Sequence, residues 1–189
     1  NLICHDPRMI DAMNTAVFAF PAAVFYFAGG LSTGLRLFGN RDDRRPPRSL
    51  GIAFGIVGAI LHAIVLYQGM AATGGLNLGF FYAFSLAAWT VVVLLLLSSL
   101  RNPVENLGIV LLPIAALTIL LALRYPAVRL LSADAALGLK AHVIISLLAY
   151  SILAMASVQA MLLALQHRHL RGHQPGGFVR ALPPLQTME

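Results

Sequence analysis

The chain has 189 residues, of which 59% are hydrophobic and 11% charged, and a formal net charge of +6. Soluble domains carry about a quarter charged residues, so this composition excludes an ordinary water-soluble globule and predicts an integral membrane protein. The bases sit in short runs beside apolar stretches, as in retained membrane loops, which argues against nucleic acid; the single cysteine, Cys4, excludes an internal disulfide or a Cys-rich zinc site.

Residues 1–12, NLICHDPRMIDA, are polar and lack the apolar core of a signal peptide. They read as an extension ahead of a start at Met13, with a transmembrane bundle expected over 13–175. The first span is expected at 15–38. Pro21 is expected to bend it, and Gly30-x-x-x-Gly34 to offer a close-packing face. A basic, turn-rich loop follows, GNRDDRRPPR, whose four arginines make five with Arg36 just ahead of it, over 36–48. The second span, 50–68, carries Gly51, Gly55 and Ala59 at four-residue spacing. A Gly-rich turn leads to the third span, 80–100, which contains Trp89. The fourth, 107–123, contains Pro113.

The fifth span, 139–166, is the longest apolar run. Its only charge is Lys140, at the start. At helical rise it measures roughly 42 Å, more than the ~30 Å hydrocarbon core. Residues 176–189 read as an interfacial tail. A bilayer admits helices or closed barrels, and these segments are too long and apolar for barrel strands. The expected fold is therefore an all-α polytopic bundle of about five transmembrane helices, as one domain.

Orientation follows from the bases. Nine Lys/Arg fall on the side of the loops after spans one, three and five, against four on the other side. The positive-inside rule then places the N-terminus outside and the C-terminus in the cytoplasm.

Two histidines are the candidates for chemistry. His62 lies in the second span near the bilayer midplane, where an ionisable residue is costly and a neutral imidazole can ligate iron, copper or zinc. The alternative is a neutral histidine hydrogen-bonded to a neighbouring helix through Ser, Thr or a backbone carbonyl. His142 lies about one turn inside the outer mouth of the fifth span, with Ser146 and Tyr150 near the same helix face. Its alternative is an interfacial histidine meeting water and headgroups. Ser132 is placed to cap a helix starting at Ala133, which would set His142 deeper.

Smaller candidates flank these. Tyr67, Gln68 and Asn77 could orient a carboxylate or a ligand histidine, and Arg124, Arg129 and Lys140 could pair with carboxylates. HRHLRGH, with His167, His169 and His173, reads as a basic anchor on anionic lipid more than as a metal site. There is no Ser-His-Asp constellation, phosphate loop, HExxH or CxxC, so no enzyme is predicted. No Asp or Glu lies within a span, which argues against a proton-coupled transporter.

Several segments together carry a resemblance. LHAIVLYQ, GLNLGFFYAFSLAAWTVVVLLLL, RNPVENLGIVLLPIAAL and HVIISLLAYSIL are similar, in this order along the chain, to segments of the cytochrome c assembly family. These are the CcsA/CcmC-type haem-handling membrane proteins, and the YpjD-like branch is the nearer match. The resemblance covers nearly everything from Met13 onward.

What it implies is haem b, held by histidine pairs, in a bacterial inner-membrane protein that presents or passes haem at the periplasmic face. His62 matches the first member of the intramembrane pair and His142 the first member of the periplasmic pair, making both axial candidates for haem iron. The second members, and the family's WWD segment, would follow Glu189, so the chain resembles a C-terminally truncated member. Trp89 precedes His142 and does not match WWD. Implied partners are membrane lipid, haem and other cytochrome maturation proteins. Two separate haem sites fit better than one haem shared by His62 and His142. The rival function is a non-haem scaffold or accessory subunit of a transporter.

Overall fold

The computed structural model describes residues 7–38, 45–71, 76–101, 104–125, 130–131 and 136–171. It is all-helical apart from one two-residue strand pair. Five α-helices follow in order: α1 Pro7–Phe38, α2 Arg48–Ala71, α3 Phe80–Arg101, α4 Gly108–Arg124 and α5 Leu137–Arg171. A 3-10 turn, Glu105–Leu107, leads into α4. Four of the helices are long and apolar enough to cross a membrane; α4 is shorter, at 17 residues. The chain is a helical membrane protein.

Helix α1 starts at Pro7, well ahead of the expected span, at the end of a helix where a missing proline N–H costs nothing. It runs through Pro21, and α4 through Pro113. Cys4 and His5 lie outside the described residues.

The two ends of the bundle can be told apart by their contacts. Between α2 and α3, β1 (Leu76–Asn77) pairs antiparallel with β2 (Leu130–Leu131), which lies between α4 and α5. Those two connections therefore meet at one end. At the other end, Arg48 at the start of α2 donates from Nη2 to the Ser99 carbonyl near the end of α3, at 2.6 Å. The helices alternate up and down between these ends.

The core is built from α1, α2, α3 and α4. Ala19, Ala22, Ala23 and Tyr26 of α1 are buried against Ala59 and Val65 of α2, Val92 of α3, and Leu112, Ala115, Ala116 and Ile119 of α4. Small residues on α1 let these helices approach closely, as membrane packing favours. Of the Gly30-x-x-x-Gly34 pair, only Gly30 makes such a contact. A Cβ on Gly30 would lie 3.2 Å from the Pro113 ring, whereas one on Gly34 would meet nothing within 4 Å.

Helix α5 stands apart from this core. It packs chiefly on α3, where Met155, Val158 and Leu162 meet Val91, Leu95, Leu107 and Leu111. Only 6% of its apolar stretch is buried, against 28–33% in the other three long helices.

Candidate functional site

His62 is wholly buried, 14 residues into α2. Its imidazole stands between two hydroxyls from two other helices. Nε2 lies 2.9 Å from Ser85 Oγ on α3, and Nδ1 lies 3.3 Å from the Tyr26 hydroxyl on α1. A neutral imidazole has one donor and one acceptor, and each hydroxyl can take either role. Either tautomer therefore satisfies both nitrogens. The Tyr26 and His62 rings meet edge to face, with centroids 5.8 Å apart.

A glycine makes this arrangement possible. Gly58 precedes His62 by one helical turn, and a Cβ there would come within 2.6 Å of the Tyr26 ring. Without that Cβ, the tyrosine ring packs close against α2 and its hydroxyl reaches the imidazole. Next to this, Trp89 of α3 donates its indole N–H to the Ala59 carbonyl of α2 at 2.9 Å. Three helices are thus joined by side-chain hydrogen bonds within about one turn of His62.

His142 has the opposite setting. It is exposed, five residues into α5, with its Nε2 3.5 Å from Ser146 Oγ. Tyr150 is also exposed, two turns further on. A buried His62 and an exposed His142 line no common opening. Among the described residues no group of three or more His, Cys, Asp or Glu is placed to hold a metal ion.

The residues fit haem unequally. An axial histidine needs one ring nitrogen open toward iron. His142 offers an accessible ring. His62 would have to release Ser85 or Tyr26 first.

The flanking candidates scatter. Asn77 is buried and its Oδ1 accepts the Gly79 N–H at 3.0 Å, closing the turn into α3. Tyr67 is exposed and lines an apolar groove of about 460 Å³ between α2 and α3, together with Ile60, Ile64, Trp89 and Val93. Gln68 has a buried Oε1 with no hydrogen-bond partner. The Arg124 guanidinium lies 5.1 Å from the Tyr125 ring centroid. Lys140 is partly buried in the first turn of α5. His167 is exposed, and α5 ends at Arg171. Arg129, Ser132 and His173 lie outside the described residues, as do the 176–189 tail and the His169 side chain.

Tyr26 and Ser85, the partners of His62, are not among the candidates the sequence offers. Their signal is faint. Each is one polar group in an apolar run, and only the rotation of α1 and α3 about their axes shows that they face His62. Compared with known proteins, the chain matches no family model, no curated protein and no solved structure.

Proposed function

We propose that this is a haem-handling membrane protein of the cytochrome c assembly type, with His142 as its iron-ligating histidine. The observation that carries the reading is the exposure of His142 on α5, the least buried of the long helices. A ligand that must be offered to a partner or accepted from one needs such an accessible ring. Haem supplies an iron that takes imidazole nitrogen as an axial ligand. The order of the His62 and His142 segments along the chain supports the family resemblance.

In this reading the arginine-rich end of the bundle faces the cytoplasm of a bacterial cell and the β1–β2 end faces outward, with α4 as a fifth span. His142 then sits near the outer surface. Other cytochrome maturation proteins are its partners, and His62 holds the interior together. Titration of the purified chain in lipid nanodiscs with haemin tests the reading. It predicts saturable binding with a Soret band that His142→Ala weakens; a linear, unsaturable uptake identical in both chains contradicts it.

A second reading, a non-haem scaffold or accessory subunit, is favoured by one observation. Both nitrogens of His62 are engaged by hydroxyls, as expected of a structural histidine. That reading predicts that neither His62 nor His142 affects any haem signal.

A further inference from the structure

The apolar groove between α2 and α3, at about 460 Å³, has the volume of a small-molecule site. Two alanines make room for it. Ala59 and Ala63 stand one turn apart on α2 and both line the groove. Ala59 is 8% exposed, whereas Ile56 and Ile60 beside it are 43% and 58% exposed. The alanine thus lies at the floor and the isoleucines at the rim. Trp89, Val93 and Leu96 of α3 form the opposite wall.

Polarity and length narrow the occupant. The Trp89 indole N–H already donates to the Ala59 carbonyl, so the wall it forms is apolar toward a ligand. Among the described lining residues the other polar group is the Tyr67 hydroxyl, at the end of the groove nearer β1. From Ile56 to Tyr67 the groove follows three turns of α2, about 16 Å of rise, against ~15 Å for one leaflet of the hydrocarbon core. It stops about 12 Å short of the Arg48 end of α2. A partner helix crossing both leaflets would run on beyond the groove. A single hydrocarbon chain hung from one membrane surface matches its length and its lack of polar groups.

The outward face of α1 shows the contrast. Val17, Phe20, Val24 and Phe27 stand out from it as large side chains, 48–64% exposed. A lipid chain meets a ridge there, whereas between α2 and α3 it lies below the isoleucine rim with protein on either side. Both places are equally apolar, so the difference in packing decides where a chain is held.

We propose that this groove seats one acyl chain of a phospholipid from the leaflet at the β1–β2 end, with its headgroup beside Tyr67 and its methyl end near Ile56. The assignment is independent of the haem reading.

Photocrosslinking of the full chain in nanodiscs tests it, with a phosphatidylcholine that carries a diazirine at mid-chain and with crosslinks mapped by mass spectrometry. Labelling is expected to concentrate on Ala59, Ala63 and Val93 over Val24 and Phe27, which flank Tyr26 at the depth of His62. Ala63→Leu puts a branched side chain into the groove and should remove that excess without changing the labelling of α1; circular dichroism checks that the variant is folded. A second probe, with the diazirine next to the ester, should label Ile64 and Tyr67 in the wild type and spare Ile56. This depth pattern needs no variant. Labelling of the groove no greater than that of α1, an excess that survives in folded Ala63→Leu, or a near-ester probe that labels Ile56 overturns the proposal. A nanodisc complex holding two copies, reduced to one by Ala63→Leu, would assign the groove to a second copy and overturn it as well.

Discussion

Ser85 Oγ and His62 Nε2 meet at 2.9 Å in the interior of the bundle, joining α3 to α2. On the other side of the same ring, Tyr26 joins α1. Between apolar helices in lipid there is no hydrophobic force to hold such a register. Packing and interhelical hydrogen bonds do so instead.

His62→Ala should therefore destabilise the bundle even if haem plays no part. It leaves the Tyr26 and Ser85 hydroxyls unpaired and opens a cavity, a cost of about 2–4 kcal/mol. Ser85→Ala and Tyr26→Phe should each cost less, about 0.6 kcal/mol on the scale of interhelical bonds in membranes. Equilibrium unfolding in mixed micelles measures all three. A His62/Ser85 double-mutant cycle with no coupling would contradict the contact.

Gly58 sets the reach of Tyr26. Gly58→Leu should push the tyrosine ring off α2 and lower the midpoint of thermal unfolding well below that of the wild type. Gly34→Ala serves as the comparison, since a Cβ there meets nothing within 4 Å. Scanning fluorimetry on both variants reads the difference. Equal midpoints would show that Tyr26 does not pack as described.

Trp89 is the only tryptophan, so its fluorescence reports the α2–α3 contact directly. Trp89→Phe should lose the bond to the Ala59 carbonyl, a cost of about 1 kcal/mol. In the intact chain, the apolar groove beside Trp89 opens outward, so lipids brominated near the mid-chain should quench it. Absence of quenching at every bromine depth would place this face inside a contact.

The four long spans are legible in the sequence because their apolar runs are unbroken: α3, for example, covers Phe80–Arg101, where the run itself covers 80–100. The short α4, Gly108–Arg124, falls within one residue of the expected 107–123, though its 17 residues lie near the lower limit of a span. The start of α1 at Pro7 is hidden in a polar stretch that hydropathy does not register as helix. The β1–β2 pair has no sequence signal either; two residues on each side are too few for any periodicity. For the site, the depth of His62 follows from helical rise, and a hydroxyl partner is among the expected alternatives. The identity of that partner does not follow. Helices that are apolar all round give no amphipathic stripe to say which face turns inward, so Tyr26 and Ser85 cannot be aligned with His62 from spacing alone. The same reason hides the contrast between a wholly enclosed His62 and an exposed His142.

That contrast predicts a labelling pattern. With Cys4 replaced by Ser, a lone cysteine introduced by His142→Cys should react fast with maleimide, whereas one introduced by Ser85→Cys should be protected, because Ser85 is 1% exposed. In the proposed orientation, a membrane-impermeant maleimide reaches position 142 from outside the cell. Labelling only after permeabilisation would reverse that orientation.

The most direct test of the central claim is a reduced-minus-oxidised visible spectrum of the haem-loaded protein, compared with His142→Ala and with Ser85→Ala/Tyr26→Phe. The double variant frees His62 of both hydroxyls while leaving its ring in place. If His142 is the iron ligand, the α-band is lost in His142→Ala and persists unchanged in the double variant. A spectrum indifferent to His142, or a new band that appears only when the hydroxyls are removed, would contradict the assignment and return the iron to His62.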